Sequence, residues 1–257
     1  EASTGRLSLL LPLYDSLVRH RVKMGNAGTL DRATAELYAF VMQAHDPAQE
    51  LPAGLFDQAG VAEYLSQIKH SDLKVYEQII ESIPEHCQVQ SSNSAVIRYV
   101  QMFSVKDSIS IFCNRGTSGI DGSTSTAIGA AFASKKQTVF ITGDLSFFYD
   151  SNALWNKNIP ANFRIILVNN SGGGIFKIIP GPGTTNAANY FETPHCLTAE
   201  HLCKMHNFEY QQAISTESVE KELKGFFETS EKPKILEIFT PSLENDTVLK
   251  DYFKYIK

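Results

Sequence analysis

The ten residues VFITGDLSFF, positions 139–148, decide how the rest of the chain is read. Val139, Phe140 and Ile141 form an apolar run of β-branched and aromatic side chains, which predicts a buried strand. Gly143 and Asp144 end that run, and the apolar Leu145, Phe147 and Phe148 beyond them predict the start of a helix. A carboxylate between a strand and a helix has two ordinary uses. It caps the free N–H groups of the helix, or it binds a ligand at the carboxyl end of the strand.

The segments on either side repeat the same alternation. Strands are predicted at SISIFC (108–113), TVFIT (138–142), FRIILVNN (163–170), FEYQQA (208–213) and KILEIF (234–239). Helices are predicted at DLKVYEQIIESIP (72–84), SAVIRYVQMF (94–103), STSTAIGAAFAS (123–134), around SNALWN (151–156), and at TAEHLCKMH (198–206), ESVEKELKGFFET (217–229) and NDTVLKDYFKYI (245–256). This order predicts an α/β fold, a doubly wound, mostly parallel sheet with helices on both faces. RIILV is apolar without alternation, as a strand covered on both faces requires. Residues 71–257 form this unit. Residues 1–70 read as a helical lead-in, a remnant of a preceding domain, and hold no recognisable chemistry.

The bulk composition excludes several classes. A net charge of −5 leaves no basic excess to neutralise nucleic-acid phosphates. No apolar run approaches the roughly 20 residues that cross a bilayer, and the opening EASTGRLSLLLPLYDS lacks the layout of a cleavable signal, so a cytoplasmic protein is expected. Cys87, Cys113, Cys196 and Cys203 are scattered without a CxxC pair, which fits reduced thiols. HCLTAEHLCKMHNF (195–208) crowds histidines and cysteines together. Its spacing matches no common zinc pattern, and TAEHLCKMH fits a short helix better.

In a doubly wound sheet, ligands bind beyond the carboxyl ends of the strands. Three strand ends carry candidate chemistry: CNRGTSGIDGSTS, GDLSFF and NNSGGGIF. Asp144 and Asn170 end consecutive strands, so their side chains can converge. A carboxylate and an amide carbonyl are hard oxygen ligands suited to Mg²⁺ or Ca²⁺, and Mg²⁺ commonly completes its shell with phosphate oxygens. Gly172, Gly173 and Gly174 permit close backbone approach, so a carbonyl there can be a further ligand. A rival reading takes GTSGIDG as a dinucleotide site with Asp144 on the ribose; its glycine spacing departs from GxGxxG and it leaves NNSGGG unexplained.

The pair Asp144 and Asn170, in GD…NN, resembles the diphosphate-binding signature of thiamine-diphosphate enzymes. SSNSAVIRY (91–99), CNRGTSGIDGSTSTAIGAA (113–131), TGDLSFFYD (142–150) and VNNSGGGIFKIIPG (168–181) are similar to one branch of that family, the carboligating synthases of menaquinone biosynthesis. Leu145 departs from the broad pattern, which often has glycine there. The resemblance implies decarboxylation of 2-oxoglutarate and addition of the succinyl unit to isochorismate. It implies Mg²⁺ (or Mn²⁺) on Asp144, Asn170 and the Gly172 carbonyl, with Gly143, Leu145 and Ser146 lining the diphosphate pocket. Ile120 resembles the aliphatic prop that bends the cofactor, and Asn93, Ser94, Arg98, Arg115, Ile175 and Phe176 resemble substrate contacts. Arginines at 98 and 115 suit substrates that carry carboxylates, because a guanidinium holds a carboxylate through two parallel hydrogen bonds.

The resemblance also implies what this chain lacks. The glutamate that activates the cofactor comes from a pyrimidine-binding domain, for which no second α/β unit is visible, so the chain is expected to be a carboxyl-terminal piece, inactive alone and part of a homo-oligomer. Alternatives are an acetolactate-synthase-like enzyme using a smaller keto acid, a dinucleotide-binding oxidoreductase domain, and a non-catalytic assembly module. The Gly-Pro loop at 181–190 is expected to be disordered without ligand.

Overall fold

The structure, a computed structural model, describes residues 58–114, 119–178, 186 and 188–255. Six strands form one sheet: β1 Gln88–Ser91, β2 Ser110–Cys113, β3 Thr138–Gly143, β4 Arg164–Asn169, β5 Glu209–Ala213 and β6 Lys234–Phe239. Their order is β2-β1-β3-β4-β6-β5, and every pairing is parallel. The helices are α1 Gln58–Gln67, α2 Asp72–Ser82, α3 Ala95–Val100, α4 Ser123–Ala133, α5 Asp144–Tyr149, α6 Ile175–Ile178, α7 Ala188–Glu192, α8 Glu200–His206, α9 Thr216–Phe226 and α10 Asn245–Tyr255. No described helix is long and apolar enough to cross a membrane.

The apolar strands are explained by two cores, one on each face of the sheet. Val139 and Ile141 of β3, Ile166 and Val168 of β4, and Leu236 and Ile238 of β6 enter the core shared with α2, α3, α9 and α10. Phe140, Ile165, Leu167 and Ile235 alternate into the other, with Ala127, Ile128 and Ala131 of α4 and Phe147 of α5. Strands with both faces covered have no polar side, which is why periodicity of two is absent from RIILV. Tyr64 and Leu65 of α1 pack against the first core, and the Tyr64 ring lies 5.7 Å from that of Tyr252 on α10.

Four elements differ from the sequence reading, among them the short helices α6 and α7, which were not expected around the Gly-Pro loop. β1, QVQS, was not expected as a strand: only Val89 is apolar, yet the segment sits between β2 and β3, where backbone pairing on both sides decides its conformation. Ser151–Trp155, expected as part of a helix, is a single stretch of 3₁₀ helix following α5.

β1 connects outward to β2 and β3 connects the other way to β4, so the strand order reverses between β1 and β3. A crevice opens at such a switch point, beyond the carboxyl ends of the strands. Asp150 organises one wall of it. Its carboxylate accepts the Ser125 N–H at 2.6 Å and the Ser125 hydroxyl at 2.8 Å, capping α4, whose own N-cap is a glycine without a side chain.

The opposite end of β4 is held by a fully buried arginine. Arg164 donates to four backbone carbonyls, those of Phe226, Ala161, Phe163 and Glu228, at 2.8, 2.8, 3.1 and 2.5 Å. Phe226 and Glu228 lie at the carboxyl end of α9, where a cation also meets the negative pole of the helix. Burial alone lowers the pKa of Arg164 from its ordinary value. Arg164→Ala should therefore cost about 3 kcal/mol or more in denaturant unfolding, because buried carbonyls lose their donors. A loss below about 1 kcal/mol would show that water replaces the guanidinium freely.

Candidate functional site

Gly143 of β3 is in register with Val168 of β4, so Asp144 and the Asn169–Asn170 pair leave neighbouring strands together. Asp144 is buried at 3 % exposure and is the first residue of α5, not its N-cap, which is Gly143. Its two oxygens do different things. Oδ1 accepts the Leu145 N–H at 2.7 Å, at the start of the helix, and Oδ2 reaches across to the Gly172 N–H at 2.9 Å. One carboxylate thus joins the start of α5 to the turn after β4.

The turn after β4 is shaped around that contact. Ser171 has φ 65° and Gly172 φ 152°, and a β-carbon on Gly172 would lie 2.6 Å from the Glu192 carbonyl oxygen. Only glycine permits both the backbone angle and that approach. Gly173 donates its N–H to the same Glu192 carbonyl at 2.6 Å. The Gly172 carbonyl accepts the Gly174 N–H at 3.0 Å, which leaves its second lone pair for another partner.

Asn170 is tied from the far side of the turn. Its Nδ2 donates to Asp72 Oδ2 at 2.9 Å, so its carbonyl oxygen is the end left to accept. Asp72 is buried at 3 % exposure, and its carboxyl is pushed up to about 6 by burial, with the charge of Asp144 adding to the rise. Burial first, and then the charges of Asp72 and Asp144, push the Tyr76 hydroxyl well above its usual range. Among the described residues neither carboxylate is salt-bridged to lysine or arginine. A carboxylate, an amide oxygen and a backbone carbonyl are hard oxygen donors of the kind that suits a divalent cation such as Mg²⁺. Asp144, Asn170 and the Gly172 carbonyl are the groups that could hold one.

Two residues of this neighbourhood, Asp72 and His195, were not among the site candidates read from the sequence. His195 Nε2 lies 3.2 Å from Asp144 Oδ2. Its Nδ1 accepts the Leu197 N–H at 3.1 Å, which in the neutral ring places the proton on Nε2, facing the carboxylate. Glu237, wholly buried on β6, supports the segment: it accepts from Asn169 Nδ2, Thr198 Oγ1, the Ala199 N–H and the Tyr210 hydroxyl at 2.7–3.0 Å. The histidine and cysteine residues of 195–206 therefore do not gather at one point. Cys203 is buried in the core on α8, while His195 turns to the crevice. Nothing local in the sequence signals that turn.

The remaining candidates among the described residues are held by the following contacts. Ser146 Oγ donates to the Ile120 carbonyl at 2.5 Å, which places the glycine-rich turn beside α5. Ser92, at the end of β1, takes the Gly143 N–H at 3.4 Å, bringing the Asn93–Ser94 turn beside β3. Ser94 has φ 70°, a strained value for a residue other than glycine, and its carbonyl accepts from the half-buried guanidinium of Arg98. Asn93 is buried. Ile175 is buried at the start of α6, and Phe176 stacks on Phe191 of α7 with ring centroids 5.2 Å apart. Arg115 lies outside the described residues, as do 179–185 and 187 of the Gly-Pro segment; Ala188–Tyr190 begin α7.

The topology disfavours the dinucleotide reading. In that motif the glycine-rich turn and the acidic residue end adjacent strands, whereas here β1 separates β2 from β3. Residues 92–238 match the family described as thiamine pyrophosphate enzyme, C-terminal TPP binding domain. The chain belongs to this family. The segment matched begins just after β1 and runs through β2 to β5 and nearly all of β6.

Curated relatives agree in name. The chain is 58% identical over 193 residues to a 2-succinyl-5-enolpyruvyl-6-hydroxy-3-cyclohexene-1-carboxylate synthase of Flavobacterium johnsoniae, covering 75% of this chain and 35% of the relative. It is 53% identical over 196 residues to the protein of that name from Christiangramia forsetii, covering 76% and 34%, and 41% identical over 196 residues to that from Phocaeicola vulgatus, covering 75% and 35%. The chain thus spans about a third of the length of the curated relatives it matches.

Gly172→Ala should destabilise the turn by about 1–3 kcal/mol in denaturant unfolding, through its backbone angle and the clash with Glu192. A variant as stable as the parent would mean that the Glu192 segment moves aside at no cost.

Proposed function

We propose that residues 71–257 form the diphosphate-anchoring unit of an enzyme that decarboxylates 2-oxoglutarate and transfers the succinyl unit to isochorismate in menaquinone biosynthesis. The observation that carries the reading is the 58% identity to a synthase of that name across the very segments that build the crevice. When bound, thiamine pyrophosphate supplies the electron sink that lets a carboxylate leave as carbon dioxide. The chain supplies position and charge. Asp144, Asn170 and the Gly172 carbonyl hold Mg²⁺ or Mn²⁺ against the diphosphate, with Gly143, Leu145 and Ser146 beside it.

Ile120, fixed through the hydrogen bond from Ser146 to its carbonyl, would be an apolar contact for the bound cofactor. Arg98 and Arg115 bind the substrate carboxylates, with Asn93 and Ser94 as polar neighbours and Ile175 and Phe176 closing an apolar wall. The strained backbone of Ser94 supports this role, because strain of this kind collects at ligand sites. The activating glutamate belongs to a pyrimidine-binding domain outside this chain, in a homo-oligomer of the longer protein.

The test uses the full-length protein that carries this chain. With thiamine pyrophosphate, Mg²⁺ and isochorismate, 2-oxoglutarate should be consumed and pyruvate should not. Arg98→Ala should lower kcat/KM for 2-oxoglutarate on the order of 10- to 100-fold, the worth of a charge-assisted carboxylate contact. Turnover of pyruvate in preference to 2-oxoglutarate would point to an acetolactate-synthase-like enzyme instead.

A further inference from the structure

An amide ligand has two unlike ends. Its oxygen attracts a cation and its NH₂ repels one, and turning the group over exchanges them with little change in shape. A site that uses Asn170 must therefore fix which end faces inward. The structure assigns this task to Asp72: we infer that Asp72 is the positioning residue that holds the Asn170 amide with its oxygen toward the metal. The inference rests on the reading of Asn170 as a metal ligand.

Three observations carry it. First, the 2.9 Å contact runs from Asn170 Nδ2 to Asp72 Oδ2, so the NH₂ end of the amide faces the carboxyl group. A flipped amide would set oxygen against oxygen. Second, Asp72 is itself immobilised. Its Oδ1 accepts the Thr240 hydroxyl at 2.5 Å, its N–H donates to Asn245 Oδ1 at 2.8 Å, and it sits in the first turn of α2, behind the Ser71 N-cap. Third, the Asn170 amide lies close over Gly174, where a β-carbon would come within 3.1 Å of its Nδ2, so the backbone there leaves room for the amide only because the residue is glycine. The ties to Thr240 and Asn245 suffice to join α2 to β6 and α10. The other Asp72 oxygen, Oδ2, is left over from that structural task and is used on Asn170, 98 residues away in sequence.

The experiment compares Asp72→Ala with Thr240→Val in the full-length protein, reading Mg²⁺ affinity by calorimetry at saturating thiamine pyrophosphate and melting temperature without metal. Both variants break the buried Asp72–Thr240 bond, so both should melt earlier. Only Asp72→Ala frees the amide, and it should weaken Mg²⁺ roughly tenfold or more, the usual effect of losing a group that orients a ligand, while Thr240→Val stays within about twofold of wild type. Asp72→Ala within about twofold of wild type, or Thr240→Val weakened as much as Asp72→Ala, would overturn the inference.

Should Asp72→Ala not fold, a crystal structure of the wild-type protein with thiamine pyrophosphate and Mn²⁺ decides the matter. The inference requires the metal on one terminal atom of Asn170 and Asp72 within hydrogen-bond distance of the other, and an Asn170 NH₂ bonded elsewhere would contradict it. Wild-type protein that binds the cofactor with no metal at all would overturn the reading of Asn170 itself, a result distinct from failure of the Asp72 variant alone.

Discussion

A single buried carboxylate ties together the ends of two strands: Asp144 takes the Leu145 N–H of its own helix and the Gly172 N–H of the turn after β4. Burying a charge is costly unless it is well satisfied, and two N–H donors with a nearby histidine only partly offset that cost. The surrounding architecture serves to bring those donors within reach. The β3–β4 register sets the strand ends level, and Gly172 lets the turn close against the Glu192 segment.

The contrast between the two ends of β4 separates fold from function. At its amino end Arg164 is buried among backbone carbonyls, needs no ligand and fastens α9 to the sheet. At its carboxyl end Asn169 is satisfied by Glu237, and Asn170 is held by Asp72, but Asn170 Oδ1 takes no hydrogen bond among the described residues. Polar groups that are fully satisfied rigidify a structure, whereas those left with capacity facing a crevice are placed to bind. The strained turns at Ser94 and Ser171, both after strands, mark the same boundary.

How much of this was legible in the sequence depended on how local the cause was. β3 and β4 announce themselves because burial on both faces leaves continuous apolar runs, and the motifs around Asp144 and NNSGGG are contiguous, so both the strand ends and the family resemblance follow from short stretches. β1 is hidden because QVQS owes its conformation to strands on either side of it rather than to its own side chains. Asp72 and His195 were missed for a related reason. Each acts through a contact made only when distant segments fold together, and neither an acid behind a helix N-cap nor a histidine after a proline differs locally from countless surface residues.

The central claim is that a divalent metal links this chain to the diphosphate of its cofactor, and the linkage itself can be measured. Calorimetric titration of thiamine pyrophosphate into the full-length protein, with Mg²⁺ and again with EDTA, on wild type and Asp144→Ala, tests it most directly. The account predicts tight binding by wild type with Mg²⁺ and little or none in the other three cases. Binding of equal strength in EDTA, or in Asp144→Ala, would contradict it.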